Sequence, residues 1–334
     1  VPTQFIYQDK NHTAEELLAL HDVPPWVADI QNTIRYWLSD ESVLYVQTSG
    51  STGESKIIEL SKKMINSSAK ATIDFFGLSQ KNTAALVLPA AFIGGKMMIF
   101  RALMAELQLV LYEPKAKFHP TNSFFDFVAM TPMQAAQSID KLKNIRKLLL
   151  GGSSVSPSLE MAIIEAKLQA WHSYGMTETA SHVALRKMGQ PHFLALPGIT
   201  FTVDTHNALT IHAKNLGIDW LQTNDIVDLK SPTSFIWLGR KDNVVNSGGV
   251  KLFPEKIEEK LAIHIKNNLM VAAKYDELLG QKLILVIESN DAFEIDFHFL
   301  PKLERPKEVI FLKRFNYTKN GKLDRANTLK LISI

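Results

Sequence analysis

Apolar and polar positions fall into two textures along the chain. From Val43 to about Gly175, branched apolar runs of strand length alternate with longer stretches of helical spacing. Val43 to Gln47 is a short β-rich run that enters a Gly/Ser/Thr loop. Residues 61–78 follow at helical spacing, with Ser61 placed to cap a helix. Residues 83–90 and 105–113 read as strands separated by a helix-like segment around Met97 to Leu107, and residues 124–132, 145–153 and 167–175 continue the alternation. The first stretch, through Ser39, mixes helical patterning with the turn pair Pro24-Pro25. Strands alternating with helices predict an α/β fold, a parallel or mixed sheet covered by helices.

After Gly189 the texture changes. The closely spaced runs 199–205, 208–213 and 234–239 predict a small antiparallel sheet. Residues 239–262 read as a junction: charged, then glycine-rich, then Pro254 near the start of an amphipathic helix. Beyond it, residues 267–276, 282–289 and 307–315 predict the strands of a smaller α+β unit. The pattern divides the chain into residues 1–239 and 240–334. A length of 334 residues is compatible with two domains.

Composition narrows the class. Hydrophobic residues make up 46% and charged residues 21%, which describes a globular protein with ample core. The formal net charge of +3 and the scattered Lys and Arg do not point to nucleic acid. The densest basic stretch, Lys302 to Arg314, is interrupted by Glu304 and Glu308 and reads as a solvated face. The absence of cysteine excludes disulfides, thiolate metal sites and a cysteine nucleophile, and the ten histidines show no ligand spacing. No apolar run reaches the roughly 20 residues of a membrane span, and no signal-peptide pattern opens the chain, so a cytoplasmic enzyme is expected.

Candidate chemistry lies at strand ends. Thr48, Ser49, Gly50, Ser51, Thr52 and Gly53, followed by Lys56, form a loop whose amides, hydroxyls and cation suit a polyphosphate. Its glycines stand at the wrong spacing for a Walker A loop. Read alone, such a loop is more often a plain flexible connector. An apolar run ends on Gly151 and Gly152, where the backbone is open to a planar base. The segment Ser173 to Ser181 groups Tyr174, Thr177 and Glu178, which suit stacking, phosphate contact and holding Mg²⁺. Asp225 and Arg240 suit ribose hydroxyls, and Lys322 follows an Asn-Gly turn that presents a cation at a loop tip.

These motifs, "TSGSTGESK", "SYGMTE", "TND", "GRKDNVVNSGG" and "NGKLDR", occur in the order and spacing of the adenylate-forming superfamily of acyl-CoA synthetases, luciferases and peptide-synthetase adenylation domains. The resemblance covers Gln47 to about Asn327. It implies a large N-terminal domain and a small mobile C-terminal lid, with ATP, Mg²⁺ and coenzyme A as reactants and cofactor. It assigns the β- and γ-phosphates to Thr48–Lys56, adenine to Gly151, Gly152 and Tyr174, with Ser173 also among the nucleotide-binding residues, the α-phosphate to Thr177 and magnesium to Glu178. Ribose falls to Asp225 and Arg240, and the lid lysine that bridges carboxylate and α-phosphate to Lys322. Lys241 or Asp242 takes the hinge position. Only 46 residues precede Gln47, fewer than is usual in the superfamily, which predicts an N-terminally shortened member.

For the acid, residues 88–104 hold Phe92, Gly94 and Gly95 where ligases often carry a His followed by small residues. No carboxylate occurs between Pro89 and Ala105, which disfavours an amino acid substrate. Arg101 has two readings: a partner for a second substrate carboxylate, with Ser153, Ser154 and Thr177 nearby, or a residue on the solvent face of its helix. The "GG…FR" pattern is similar to that of the o-succinylbenzoate–CoA ligases of menaquinone biosynthesis, which implies a diacid substrate. Other readings are an aryl- or fatty-acyl–CoA ligase, a domain that loads a carrier protein, and a nucleotide-binding relative without catalysis.

Overall fold

The branched runs of the first half line up as parallel strands in the computed structural model, which describes residues 2–47, 56–120, 124–318 and 323–332. Ala170–Gly175, Leu148–Leu150, Phe127–Met130, Thr83–Leu86 and Gln108–Leu111 lie side by side in that order, all parallel. Phe127–Met130 is buried at every position, as expected of a strand covered on both faces. The sequence signal missed one member: Gln4–Tyr7 joins the edge, parallel to Gln108–Leu111. Four residues are too few to display a period, and the helical reading of this stretch holds for Ala14–Leu18 and Pro25–Leu38.

Local chemistry sets the helix ends. Pro25 opens its helix at a position that needs no N–H donor. Ser61 Oγ accepts from Met64 N at 3.1 Å, which starts Lys62–Phe76, and Gly77 ends it in the left-handed region at φ 56°. Ile93–Ala105 has no polar stripe, because residues 97–102 are all buried. It packs against both Pro25–Leu38 and Lys62–Phe76.

The antiparallel runs do not form the separate small sheet that their spacing predicts. His182–Lys187 pairs antiparallel with Ala170–Gly175, and Phe193–Ala195 then bridges to Ser234–Arg240 through Phe193↔Phe235. Ile218–Ser231, Ala208–Ala213 and Thr200–Val203 continue the ladder. Among the described residues the result is one mixed sheet of thirteen strands. The bridging strand is three residues long and carries no readable period.

A second sheet of five strands follows: Val245–Ser247, Val250–Leu252, Leu269–Asp276, Gly280–Glu288 and Glu308–Leu312. Its core of Val245, Ile257, Leu261, Val271, Leu285 and Ile287 includes the apolar face of helix Pro254–Leu261. No strand pairing among the described residues joins the two sheets. The glycine-rich stretch read as a junction is a hairpin turning on Gly248 and Gly249, whose φ values of 55° and 82° suit a tight turn. Val43–Gln47 pairs with Ile57–Ser61 in a separate two-stranded ribbon. Among the described residues, no helix is long and apolar enough to cross a membrane.

Candidate active site

Two expected elements lie outside the described residues: Thr48, Ser49, Gly50, Ser51, Thr52 and Gly53 of the phosphate loop, and Lys322. Their anchors are described. Gln47 and Ile57 face each other across the ribbon, and Lys56 is exposed at its foot. At the Lys322 segment, Tyr317 bridges to Leu323 and Asp324 N donates to Asn316 O at 2.8 Å. Arg325 then grips both oxygens of Glu258 and donates to Val271 O at 3.0 Å. Sequence reasoning did not single out Arg325 or Glu258. An arginine three residues after Lys322 was the available signal.

The candidate adenine residues meet where parallel strands end. Ser173 Oγ donates to Leu150 O at 3.0 Å, directly over Gly151. A Cβ at Gly151 would collide with that hydroxyl, so the glycine allows the two strands to approach. Gly152, Ser153 and Ser154 are exposed. His172 Nε2 lies 3.1 Å from Ser153 O. Burial, helped by the Arg186 charge, pushes the ring's pKa down to about 4, so it is neutral at pH 7.

Tyr174, Asp225 and Arg240 converge. The Tyr174 hydroxyl donates to Asp225 Oδ2 at 2.7 Å, and Arg240 Nη1 lies 4.0 Å from Asp225 Oδ1. Asp225 and Arg240 are direct cross-strand partners. Trp237, which sequence reasoning missed, donates from Nε1 to Asp225 Oδ1 at 3.1 Å. It stands three positions before Arg240 on the same strand. Asp225, 7% exposed, is thus fixed through both oxygens. The Tyr174 ring lies edge-on to Phe235 at 5.1 Å and near Phe193 at 5.8 Å, so part of it is core. Burial and the neighbouring Asp225 charge raise its pKa well above the usual phenol value. At the expected hinge position, Asp242 accepts from Arg240 Nη2 at 3.1 Å, and Lys241 Nζ lies 3.8 Å from Asp204.

Thr177 and Glu178 sit in one 3₁₀ turn, Thr177–Thr179. Thr179 Oγ1 accepts from Met176 N at 3.0 Å and donates to Ser181 O at 2.6 Å. Ala180 follows with φ 59°, uncommon for a residue with a Cβ, and is fully buried. Among the described residues, Glu178 has no hydrogen-bond or ion-pair partner, and no group of three or more His, Asp or Glu side chains could hold a metal. A carboxylate without a protein partner among the described residues, beside the turn expected to meet phosphate, fits Mg²⁺, which takes one or two protein carboxylates and completes its shell with water and substrate phosphates.

On the acid side, Phe92 caps Ile93–Ala105 and is 44% exposed, and Gly94 is exposed. Gly95 is a packing glycine, since a Cβ there would collide with the Pro89 carbonyl. Arg101 is not on a solvent face: it is 2% exposed, because its helix is enclosed all round. Its Nη2 donates to Ser181 Oγ at 2.8 Å, its Nη1 faces Met98 Sδ at 3.9 Å, and its Nε has no partner. Among the described residues no carboxylate pairs with it. Burial pulls its pKa below the usual guanidinium value.

The family model described as "AMP-binding enzyme" matches residues 3–208. The 2-succinylbenzoate–CoA ligase of Haemophilus influenzae is 25% identical over 295 residues, covering 79% of this chain and 64% of that protein. The Lactococcus lactis protein of the same name is 25% identical over 328 residues, covering 86% and 70%. The chain thus spans about two thirds of the length of these curated relatives. Among solved structures, an acyl-CoA synthetase (AMP-forming)/AMP-acid ligase II-like protein from Dyadobacter fermentans is 31% identical, with TM-score 0.64, covering 96% of this chain and 98% of that one. The Bacillus subtilis o-succinylbenzoate coenzyme A synthetase, in complex with ATP and magnesium ion, shares the fold with TM-score 0.75 at 18% identity, covering 85% and 69%.

Proposed function

This chain belongs to the AMP-binding enzyme family, and from that premise we propose that it is an AMP-forming acid–thiol ligase acting on a dicarboxylic acid, o-succinylbenzoate. In the first step a carboxylate oxygen of the acid attacks the α-phosphorus of ATP, the bond to the bridging oxygen breaks, and pyrophosphate leaves. In the second, the sulfur of coenzyme A attacks the acyl carbon, AMP leaves with the oxygen, and the thiol proton passes to solvent.

The proposed roles follow the geometry where it is described. Asp225, held by Tyr174 and Trp237, presents a fixed carboxylate beside Arg240 for the ribose hydroxyls. The strand ends at Gly151, Gly152 and Ser173 receive adenine against Tyr174. Thr177 binds the α-phosphate. Glu178 holds Mg²⁺, which neutralises phosphate charge when bound. The loop Thr48–Lys56 takes the outer phosphates. Lys322, carried by a lid that we place at residues 240–334, stabilises charge on the transferring group.

The observation that carries the choice of acid is Arg101. A buried guanidinium with an unpaired Nε and no carboxylate among the described residues is costly unless an anion completes it. The ring carboxylate of o-succinylbenzoate would be that anion, with Phe92, Gly94, Gly95, Ser153 and Ser154 around the acid. The relatives named for this activity support the reading.

The test is pyrophosphate release with ATP and Mg²⁺, with and without coenzyme A, for o-succinylbenzoate, its analogue lacking the ring carboxylate (4-oxo-4-phenylbutanoate), benzoate and a medium-chain fatty acid. Release with o-succinylbenzoate, formation of its thioester and loss of both in Lys322→Ala is the expected result. Equal KM values for the two matched acids would overturn the diacid assignment.

A further inference from the structure

Behind Arg101 runs a line of polar groups that the proposed reaction does not use, half-buried at Ser181 and buried beyond it. Ser181 Oγ, which accepts from Arg101 Nη2, lies 3.2 Å from His182 Nδ1. On the far side of the ring, His182 Nε2 lies 3.2 Å from Thr72 Oγ1. Thr72 Oγ1 in turn donates to the Ser68 carbonyl, one turn back on helix Lys62–Phe76, at 3.2 Å. His182 is 6% exposed, Thr72 is fully buried, and Ser68 is 3% exposed.

The direction of every bond follows from one end. Thr72 has a single hydroxyl proton, and the Ser68 carbonyl can only accept, so that proton points along the helix. Towards the ring Thr72 can then only accept, which puts a proton on His182 Nε2. Burial, reinforced by the Arg101 charge, holds the ring's pKa well below its usual value, so it carries one proton and Nδ1 is bare. Bare Nδ1 accepts the Ser181 hydroxyl proton. The Ser181 oxygen is left facing Arg101 as an acceptor only. With the opposite tautomer, Nδ1–H would compete with Arg101 for the same oxygen.

We propose that His182, as the neutral Nε2–H tautomer, is the positioning residue for Arg101: through Ser181 it fixes one guanidinium nitrogen and leaves Nε to receive the second carboxylate of the acid. The proposal rests on the diacid reading above and adds the residue that sets its selectivity. Fixing a guanidinium beforehand spares a substrate the cost of ordering it. It does nothing for an acid that lacks the second carboxylate. His182 touches no reactant and acts only through Ser181.

The test compares KM for o-succinylbenzoate and for 4-oxo-4-phenylbutanoate in the wild-type chain and its variants. In His182→Phe, KM for the diacid should rise about tenfold, while kcat, KM for ATP and KM for the monoacid stay within about twofold. His182→Asn, whose side-chain oxygen can take the place of Nδ1, should restore the diacid KM to within about threefold of wild type. A general loss of structure would move all these constants together. In parallel, long-range ¹H–¹⁵N spectra of the wild-type protein with ¹⁵N-labelled histidine, the ring assigned by its loss in His182→Asn, should show a neutral Nε2–H ring at pH 7. A wild-type diacid KM in His182→Phe, or an Nδ1–H or doubly protonated ring, overturns the positioning role and leaves the diacid reading standing. Absence of any preference between the two acids in the wild-type chain overturns both.

Discussion

Arg240 and Arg101 are both arginines at the candidate site, and the protein treats them in opposite ways. Arg240 has a side chain 36% exposed and lies near two carboxylates, Asp225 at 4.0 Å and Asp242 at 3.1 Å. Arg101 is 2% exposed, with a hydroxyl and a thioether for company. The proposed nucleotide side is therefore a network already joined within the protein. The proposed acid side is an incomplete one, with a buried charge and no counter-ion among the described residues. In energetic terms, the exposed Arg240–Asp242 pair contributes little to stability, while the buried lone charge of Arg101 is a cost to the fold that function has to justify.

The sharpest way to break this contrast is Arg101→Leu. KM for o-succinylbenzoate should rise about 100-fold, on the order of 3 kcal/mol, by removal of the buried partner of a carboxylate. The same change should raise folding stability by about 1 kcal/mol, because an apolar chain replaces an unpaired buried charge. Steady-state kinetics and thermal melts check the two parts. A fall in stability would mean that Arg101 is already compensated.

Asp225→Ala is next in size. It leaves the Tyr174 hydroxyl and Trp237 Nε1 without their acceptor. Stability should drop by about 2 kcal/mol, measured by denaturant unfolding, and KM for ATP should rise while the selectivity between the two acids is retained.

A smaller effect separates the sites by pH. His182 and His172 both have folded pKa values pushed below the unfolded value of about 6.5. Below that pH the unfolded chain takes up protons that the folded chain refuses. Stability is therefore fully present above about pH 6.5 and falls as pH decreases, by up to about 1.4 kcal/mol per pH unit for each ring. Unfolding curves of His182→Asn between pH 5 and 6.5 should be shallower by one histidine's share. An unchanged slope would show that the ring protonates in place.

The smallest expected change is Arg240→Gln. Its stability should lie within about 0.5 kcal/mol of wild type, as for other exposed pairs, although KM for ATP rises several-fold. A large loss of stability would erase the distinction between the two arginines.

Much of this architecture is legible in the residue order because its causes are local. The cap at Ser61, the stop at Gly77, Pro254 at a helix start and the branched runs at 83–86, 108–111 and 127–130 each act on near neighbours. The order of the motifs likewise pointed to the family before any fold was known. The loop Thr48–Gly53 and Lys322 rest on sequence alone, since both lie outside the described residues.

What only the tertiary structure decided depends on groups far apart in the chain. Whether Arg101 faces solvent or core was open, because a helix without a polar stripe gives no clue to what encloses it; three packed helices settled that it is buried. Trp237 reaches Asp225 only because two strands pair in that register. Three residues, Phe193–Ala195, merge two expected sheets into one, through pairings too short to carry a period. The line from Arg101 to Thr72 spans three separate segments of chain, and no spacing in the sequence announces it. Periodicity and capping record what a residue does to its own turn or strand. Burial and partnership are set by what folding brings alongside it.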